Sequence, residues 1–540
     1  MNFNQGNLTE LLKEGTQEHS DNVHLKNIIA VKNLANISRT SMGPNGLNKM
    51  VINHLGNLIV THDASTIVEE LEVIHPAAKL VTLAAKAMKS EVGDGTNMVI
   101  TLASELLLQA EALLRMGLHP ADIILGYKTA LKHALQCVKE TGPALTVTDF
   151  TNKNLIVKAM YSAVSAKQKD YVDFLAPIIA EACIICKPSN AQSFSVDNVR
   201  VTKIPGGTIT DSYVEKGFVL SRNVSGSIKH VKNAKVAVFG INVASSQTEG
   251  KGVVEVSNAD ELFNFAKVEE AEIEAEIAAI AKAGVNVIVS KGAFGELALH
   301  YIEKYKMMAI KVVSKFDLRR LCRAIGATPM VRMGAPTQEE VGEASSVDVE
   351  EIGSTKCIVF RQENAEDTRV ATIVIRGATN NMMDEIERAI DDGVNVYKTL
   401  TKDPRLVAGA GAFEAELSRQ LVSYSESIEG LEQYSVRKFA ESFMIIPKTL
   451  AETSGLNSTH VVSKLNAAHQ EGKKYWGVDI FDEEGLDATE ANLYDSFNTK
   501  YWAIKLATDS ALNVLSVDAI IMARPAGGPK PRQGGDWDQD

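Results

Sequence analysis

A chain of 540 residues is too long for a single hydrophobic core, and its length predicts roughly three to four domains. Its 45% hydrophobic and 23% charged residues are the composition of a globular protein and exclude a disordered one. A formal net charge of −12 argues against any general affinity for nucleic acid or for an anionic membrane.

The first residues, MNFNQGNLTELLKEG, lack the basic-then-apolar pattern of a secretory signal. No window approaches the ~20 apolar residues that cross a bilayer, so a soluble, intracellular protein is expected. From Asn22 to Gly142 apolar residues recur at helical spacing. Thr96 to Arg115 places Val99, Leu102, Leu106, Ala110 and Leu113 on one face, with Gly117 beyond its end as a stop. The next helix opens on Pro120, suited to a first helical position, and runs to Gly142. Five cysteines, Cys137, Cys183, Cys186, Cys322 and Cys357, form an odd and sparse set that fits a reducing compartment. The close pair Cys183 and Cys186 lies in LAPIIAEACIIC without a second pair or suitably spaced histidines, so it reads as buried thiols, not a zinc site.

The centre changes character. Short β-branched runs predict strands at 199–204, 235–240, 286–292, 309–313, 356–360 and 371–377, several alternating with helical patterns, as in an α/β domain. A helix is expected from Phe316 to Ile325, with Leu318, Leu321, Cys322 and Ile325 turned inward. After Gly377 long helices return at 382–395, 412–425, 431–455 and 498–515. The tail PAGGPKPRQGGDWDQD is expected to be mobile. Helical, α/β, then helical again suggests one domain inserted into another, the alternative being three independent units. Insertion is preferred because no Gly/Ser/Pro-rich linker marks a boundary.

Among residues able to carry chemistry, Gly93-Asp94-Gly95-Thr96-Asn97 stands out. Two glycines permit close backbone approach, the start of the Thr96 helix offers free N–H groups to an anion, and Asp94 is a hard oxygen ligand suited to Mg²⁺. Taken alone, this reads first as a capped tight turn. Thr40 to Gly46 is a second Gly-rich turn, Thr61 to Thr66 a polar loop carrying Asp63, and Gly409-Ala410-Gly411 precedes another helix. Asp391 and Asp392 lie on the run IERAIDDGVNVYK, where on residues alone a solvated helix face is the first reading. No P-loop, dinucleotide-binding, kinase, zincin or nucleophile-elbow signature is present.

In this order and spacing, TSMGPNGLNKM, THDASTIV, VGDGTN, ATIVIRGAT, IERAIDDGV and LVAGAGAFE resemble the chaperonins of the archaeal and eukaryotic cytosolic type over nearly the whole chain. Segments such as LEVIHPAAKL, GLEQYSVRKFAE and KYWAIKLAT further resemble one paralogue of the eukaryotic ring. The resemblance implies a multi-domain α and α/β fold with a helical equatorial ATPase domain (1–150 and 409–540), a hinge-like intermediate domain (151–221 and 377–408) and an inserted α/β apical domain (222–376). It implies ATP/ADP and Mg²⁺ as cofactors. Asp94 is the expected metal ligand, with Gly95, Thr96, Asn97 and Met98 about the phosphates, Met42 and Gly43 lining the same pocket, and Gly409, Gly411 and Asp495 at the base and ribose. Ser165, Ala166 and Lys167 fall on the side of the γ-phosphate, where Lys167 alone would read as a surface lysine. Asp392 would polarise the attacking water, with Asp63 as its partner.

Further implications are a cytoplasmic location, paralogous subunits in two stacked eight-membered rings, clients such as actin and tubulin, and prefoldin as a further partner, with no nucleic acid and no membrane. The client surface is expected on a lid protrusion, Ser245 to Ala275, and on Arg319, Arg320 and Arg323, projecting together toward the cavity. Two positions depart from the family pattern. The usual N-D-G-A-T loop reads His62-Asp63-Ala64-Ser65-Thr66, and the usual G-D-G-T-T ends in Asn97. They leave open a ring subunit that binds nucleotide with little turnover of its own. A metabolic phosphotransferase, the remaining class, would need a small-substrate motif that the sequence lacks.

Overall fold

The computed structural model describes residues 16–18, 23–53, 56–141, 143–188, 193–243, 259–363 and 370–522. Of the lid protrusion expected at Ser245 to Ala275, the part up to residue 258 lies outside these described residues, as does the C-terminal tail. Five helices open the chain: α1 (Val23–Arg39), α2 (Ala64–Glu70), α3 (Pro76–Glu91), α4 (Thr96–Arg115) and α5 (Pro120–Thr141). α4 is apolar on nearly every side, and Val99, Ile100, Leu102, Ala103, Leu106 and Leu107 are all fully buried. By length and apolarity it would span a bilayer, contrary to the expectation that no segment would, but here it is the central helix of a protein core.

Next come α6 (Lys153–Ser165) and α7 (Val172–Ile185), followed by the α/β centre with α8 (Ala259–Lys282), α9 (Glu296–Lys304) and α10 (Lys315–Ile325). The centre is built on an eight-stranded sheet ordered Val199–Pro205, Ala371–Gly377, Tyr213–Leu220, Thr355–Arg361, Gly342–Ile352, His230–Phe239, Val287–Ser290 and Met308–Lys311. The pair at one edge and the last three strands at the other run parallel, and the pairs between are antiparallel. The expected strands are all present. Two more, Tyr213–Leu220 and Gly342–Ile352, escaped the sequence reading, because GEASSVDVEEI carries the polar residues of a half-exposed antiparallel strand. In α10, Leu318, Leu321, Cys322 and Ile325 are buried as expected.

Helix α11 (Asn380–Lys402) packs with α6, α7 and the strands 199–205 and 371–377 around a second core that includes Ile156, Ile179, Ile373, Ile390 and Tyr397. The chain then forms α12 (Ala412–Glu426), α13 (Glu432–Ser442), α14 (Ile445–Thr453), α15 (Ser458–Gln470) and α16 (Phe497–Leu515). The single helix expected at 431–455 is therefore two. Pro447 lacks the N–H that a continuous helix would need, and it stands instead in the first turn of α14, where none is required. Phe439, Phe443, Ile504, Ala507 and Ala511 from this last part join Val99, Leu106 and Leu113 in one core. The two ends of the chain thus complete a single hydrophobic unit.

Candidate functional site

A cavity of about 660 Å³ opens where these first and second cores meet. Its floor is the turn between α3 and α4. Gly93 and Gly95 have φ of +91° and +82°, values that side chains resist. A Cβ on Gly95 would lie 2.8 Å from Thr499 Cγ2. Gly95 is the N-cap of α4 and makes no side-chain cap, so the first N–H groups of that helix face the cavity uncapped. Gly43, with φ +83°, and Met42 form one rim. Gly411, N-cap of α12 with φ +77°, forms another.

Charged groups converge from both cores. Asp63 caps α2, accepting from Thr66 Oγ1 at 2.9 Å and from Ser65 Oγ. Lys167, just past the end of α6, places Nζ 2.5 Å from Asp63 Oδ1 and 3.2 Å from Asp392 Oδ2. Lys89 of α3 lies 3.3 Å from the other oxygen of Asp392. Burial works to raise the carboxyl of Asp63, but the ammonium groups of Lys167 and Lys89 hold it well below the usual range. Burial pulls Lys167 the other way, and Asp392 and Asp63 keep its ammonium above its ordinary value. Asp94 is half-buried in the wall of the cleft. Desolvation there, with Asp392 and Asp495 adding negative charge, pushes its carboxyl up to about 6, although a 2.6 Å bond from the Gly95 N–H opposes this. An anionic recess holding an under-compensated carboxylate invites a cation.

Asp495 Oδ1 accepts from Ser162 Oγ at 2.8 Å, and its Oδ2 lies 2.8 Å from Lys500 Nζ. Glu414 meets the same ammonium at 2.6 Å. Open glycine turns, an uncapped helix start, and lysines and carboxylates lining the same cleft fit a polyphosphate and its Mg²⁺. That ion takes one or two carboxylates and completes its shell from phosphate and water.

Residues 34–525 match the sequence profile described as the TCP-1/cpn60 chaperonin family. Subunit theta of T-complex protein 1 from Dictyostelium discoideum is 51% identical over 535 residues, 99% of both chains. The Homo sapiens theta subunit is 47% identical over 536 residues, 98% of this chain and 97% of that one. The Arabidopsis thaliana theta subunit is 46% identical over 528 residues, 97% of this chain and 96% of that one. This chain belongs to the TCP-1/cpn60 chaperonins.

Of the residues singled out in this chaperonin's sequence, Met42, Gly43, Asp63, Asp94, Gly95, Thr96, Asn97, Met98, Ser165, Ala166, Lys167, Asp392, Gly411 and Asp495 all line the one cavity. Asp392 is buried while Asp391, its neighbour, is exposed, so the acidic pair divides between core and solvent. Gly409 stands behind the wall. Its N–H donates to the Leu493 carbonyl at 3.0 Å, and a Cβ there would come 3.2 Å from that oxygen. Asn97 turns its amide toward Ser38 O at 3.0 Å and Ser41 Oγ at 3.4 Å, bracing the 40–46 turn. Arg319 and Arg323 are exposed on α10, away from this lining. Arg320 does not project with them, since Asp317 at 3.5 Å and Asp197 at 4.0 Å hold it half-buried.

The sequence reading missed Lys89, Ser162, Lys169 and Lys500, and the segment 478–481, all part of the lining. Lys169 Nζ bonds Asn45 Oδ1 at 2.9 Å and sits 4.8 Å from the Phe481 ring centre, tying three segments at the mouth. Lys89 carried one usable signal, its place one helical turn before VGDGTN. The others carried none, because a lysine or serine on a helix reads first as solvated.

Proposed function

We propose that this chaperonin subunit binds Mg-ATP in the cavity and hydrolyses it, using closure of one domain on another to complete the site. The observation that carries the reading is the cluster Asp63–Lys167–Asp392–Lys89. Asp392 on α11 and Lys167 after α6 arrive with the second core and meet Lys89 and Asp63, which stand on elements of the first. Phosphoryl transfer needs mainly positioning and charge stabilisation. Asp392 accepts the proton of a water whose oxygen attacks the terminal phosphorus, while the bond to the bridging oxygen breaks and ADP leaves. Lys167 and Lys89 offset negative charge on the phosphates, Asp63 holds Lys167 in line, and the N–H groups of Thr96, Asn97 and Met98 cradle oxygens. Asp94 would hold Mg²⁺, which supplies charge neutralisation at the phosphate oxygens.

The equatorial, intermediate and apical division at 150, 221, 376 and 408 draws support from three main cores, although Ala371, Ile373 and Ile375 pack in the second core and Phe218 and Leu220 in the third. It supports hydrolysis gated by movement of α11. By kinship with the theta subunits, the chain assembles with paralogous subunits into two stacked eight-membered rings in the cytoplasm. There it encloses partly folded clients, actin and tubulin among them, with prefoldin as a further partner, and contacts them through the lid segment and α10. A second reading, a subunit that binds nucleotide with little turnover, gains support from the two lysines on Asp392, since each of its oxygens already has an ammonium partner in place of a water.

Photolabelling with azido-ATP separates the two readings at this one site. In the native assembly, α-labelled nucleotide retained on this chain reads occupancy, and loss of γ-label reads hydrolysis. Asp392→Asn is expected to keep the α-label and to slow γ-label loss by about 10²-fold or more. Equal γ-label loss in variant and wild type would reject Asp392 as the base, and no loss in the wild type would favour the second reading.

A further inference from the structure

One buried contact joins the cavity wall at His62 to α11. His62, one residue before Asp63, is 9% exposed, and Glu385 on α11 is 6% exposed. Nδ1 of the imidazole lies 2.8 Å from Asn48 Oδ1 and 3.0 Å from Glu385 Oε2. The other oxygen of Glu385 accepts from Arg388 Nη1 at 2.6 Å.

Glu385 precedes Asp392 by two helical turns, so both carboxylates leave one face of α11, about 10 Å apart along its axis. Adjacent residues of one loop therefore reach one helix at two levels. His62 meets Glu385, and Asp63 meets Asp392 through Lys167. Asn395 adds a third foothold, covering Gly93 so closely that a Cβ there would lie 2.2 Å from Asn395 Cγ. Of the three, the foothold at His62 and Glu385 is the upper one, farthest along the helix from Asp392.

The upper contact is also incompletely satisfied. His62 Nε2 is buried with no hydrogen-bond partner, and Glu385 Oε2, though in ion-pair range, makes no aligned bond. A pair kept only to stabilise the fold gains from full satisfaction, whereas a joint that must open gains from being easily broken.

We infer that His62 and Glu385 are positioning residues that hold α11 against the Asp63 loop, presenting Asp392 between Lys89 and Lys167 for turnover. This rests on the proposed hydrolysis, and the test keeps the two apart. His62→Phe keeps a ring but removes the donor. In the native assembly it is expected to slow γ-label loss from this chain about tenfold, while α-label occupancy stays within about twofold. His62→Gln, whose amide can still donate to Glu385, should recover most of the rate. Glu385→Ala should match His62→Phe, and the double variant should be no slower than either alone. Asp392→Asn is run in parallel. If it hydrolyses normally, Asp392 is not the base, and the reading on which this inference rests fails. If it is arrested while His62→Phe matches wild type, only the positioning role fails. A fall in occupancy with His62→Phe would make His62 a ligand contact and overturn the inference. Should His62→Phe not assemble, Glu385→Gln carries the test, with the same slowing expected at unchanged occupancy and a wild-type rate overturning it.

Discussion

Lys500 enters the site from α16 with both of its partners already fixed. Glu414 is fully buried, and Asp495 is anchored by Ser162. Burial works to lower the ammonium's pKa, but Asp495 and Glu414 together hold it well above its ordinary value. Removing one member of such a group strands the others, which costs far more than the intact group contributes. Lys500→Met should therefore destabilise the chain by about 3–5 kcal/mol, read as a lower denaturant midpoint, because Glu414 is left charged without a partner. Nothing in KYWAIKLAT announces this. Glu414 is 86 positions away in sequence, and a lysine's pairing is invisible until the fold closes. The carboxylates were easier to find, since Asp94 lies between glycines whose φ values restrict the chain and Asp63 stands at a helix cap. The role of Asp392 came only through resemblance. Its place after Ile386 and Ile390 pointed to a half-buried side, while a solvated face was the first reading for the acidic pair.

Between elements, α12 and α15 are joined by a buried polar knot. Glu416 accepts from Arg419 at 2.6 Å and from Gln420 at 2.8 Å, and it faces His469 Nδ1 at 3.1 Å. His469 Nε2 meets the Trp476 carbonyl at 2.9 Å, just ahead of the segment 478–481 that lines the cavity. Burial opposes ionisation of Glu416, but the bonds from His469, Arg419 and Gln420 prevail and hold its carboxyl down to about 2. A depressed carboxyl stabilises the fold above its unfolded value near 4.5, and this is lost as pH falls toward 2. After discounting for solvent, Glu416→Gln should cost about 1–2 kcal/mol at neutral pH. The gap from wild type should close as unfolding is followed down from pH 4.5 to 2. A gap constant with pH would place the stabilisation elsewhere. Elements such as α4 were legible because their apolar repeat is unbroken. The strand Gly342–Ile352 was not, because pairing with Thr355–Arg361 and His230–Phe239 rather than its own composition makes it a strand.

Across the whole molecule, the order helical, α/β, helical could be read locally, since each stretch declares its own periodicity. That the outer stretches fill one core could only be preferred, because no residue in α4 records which later helix will cover it. The partnership nonetheless governs how the chain can be made. Two of the cores packed on the central sheet draw only on residues between 218 and 370, which can find one another early. α4 must wait for Ile504, Ala507 and Ala511 of α16, roughly 380 residues later. At ~5–20 residues per second that is on the order of 20–80 s of translation with a largely apolar helix lacking part of its cover. Ribosome-arrested chains ending before Phe497 should accordingly resist protease through the central sheet while remaining cut within Thr96–Arg115, and protection of that helix should appear only once α16 has cleared the exit tunnel. Protection of α4 in the shorter chains would mean that some other segment shields it. A component of a folding machine would thus be, throughout its own synthesis, a nascent chain in need of shelter.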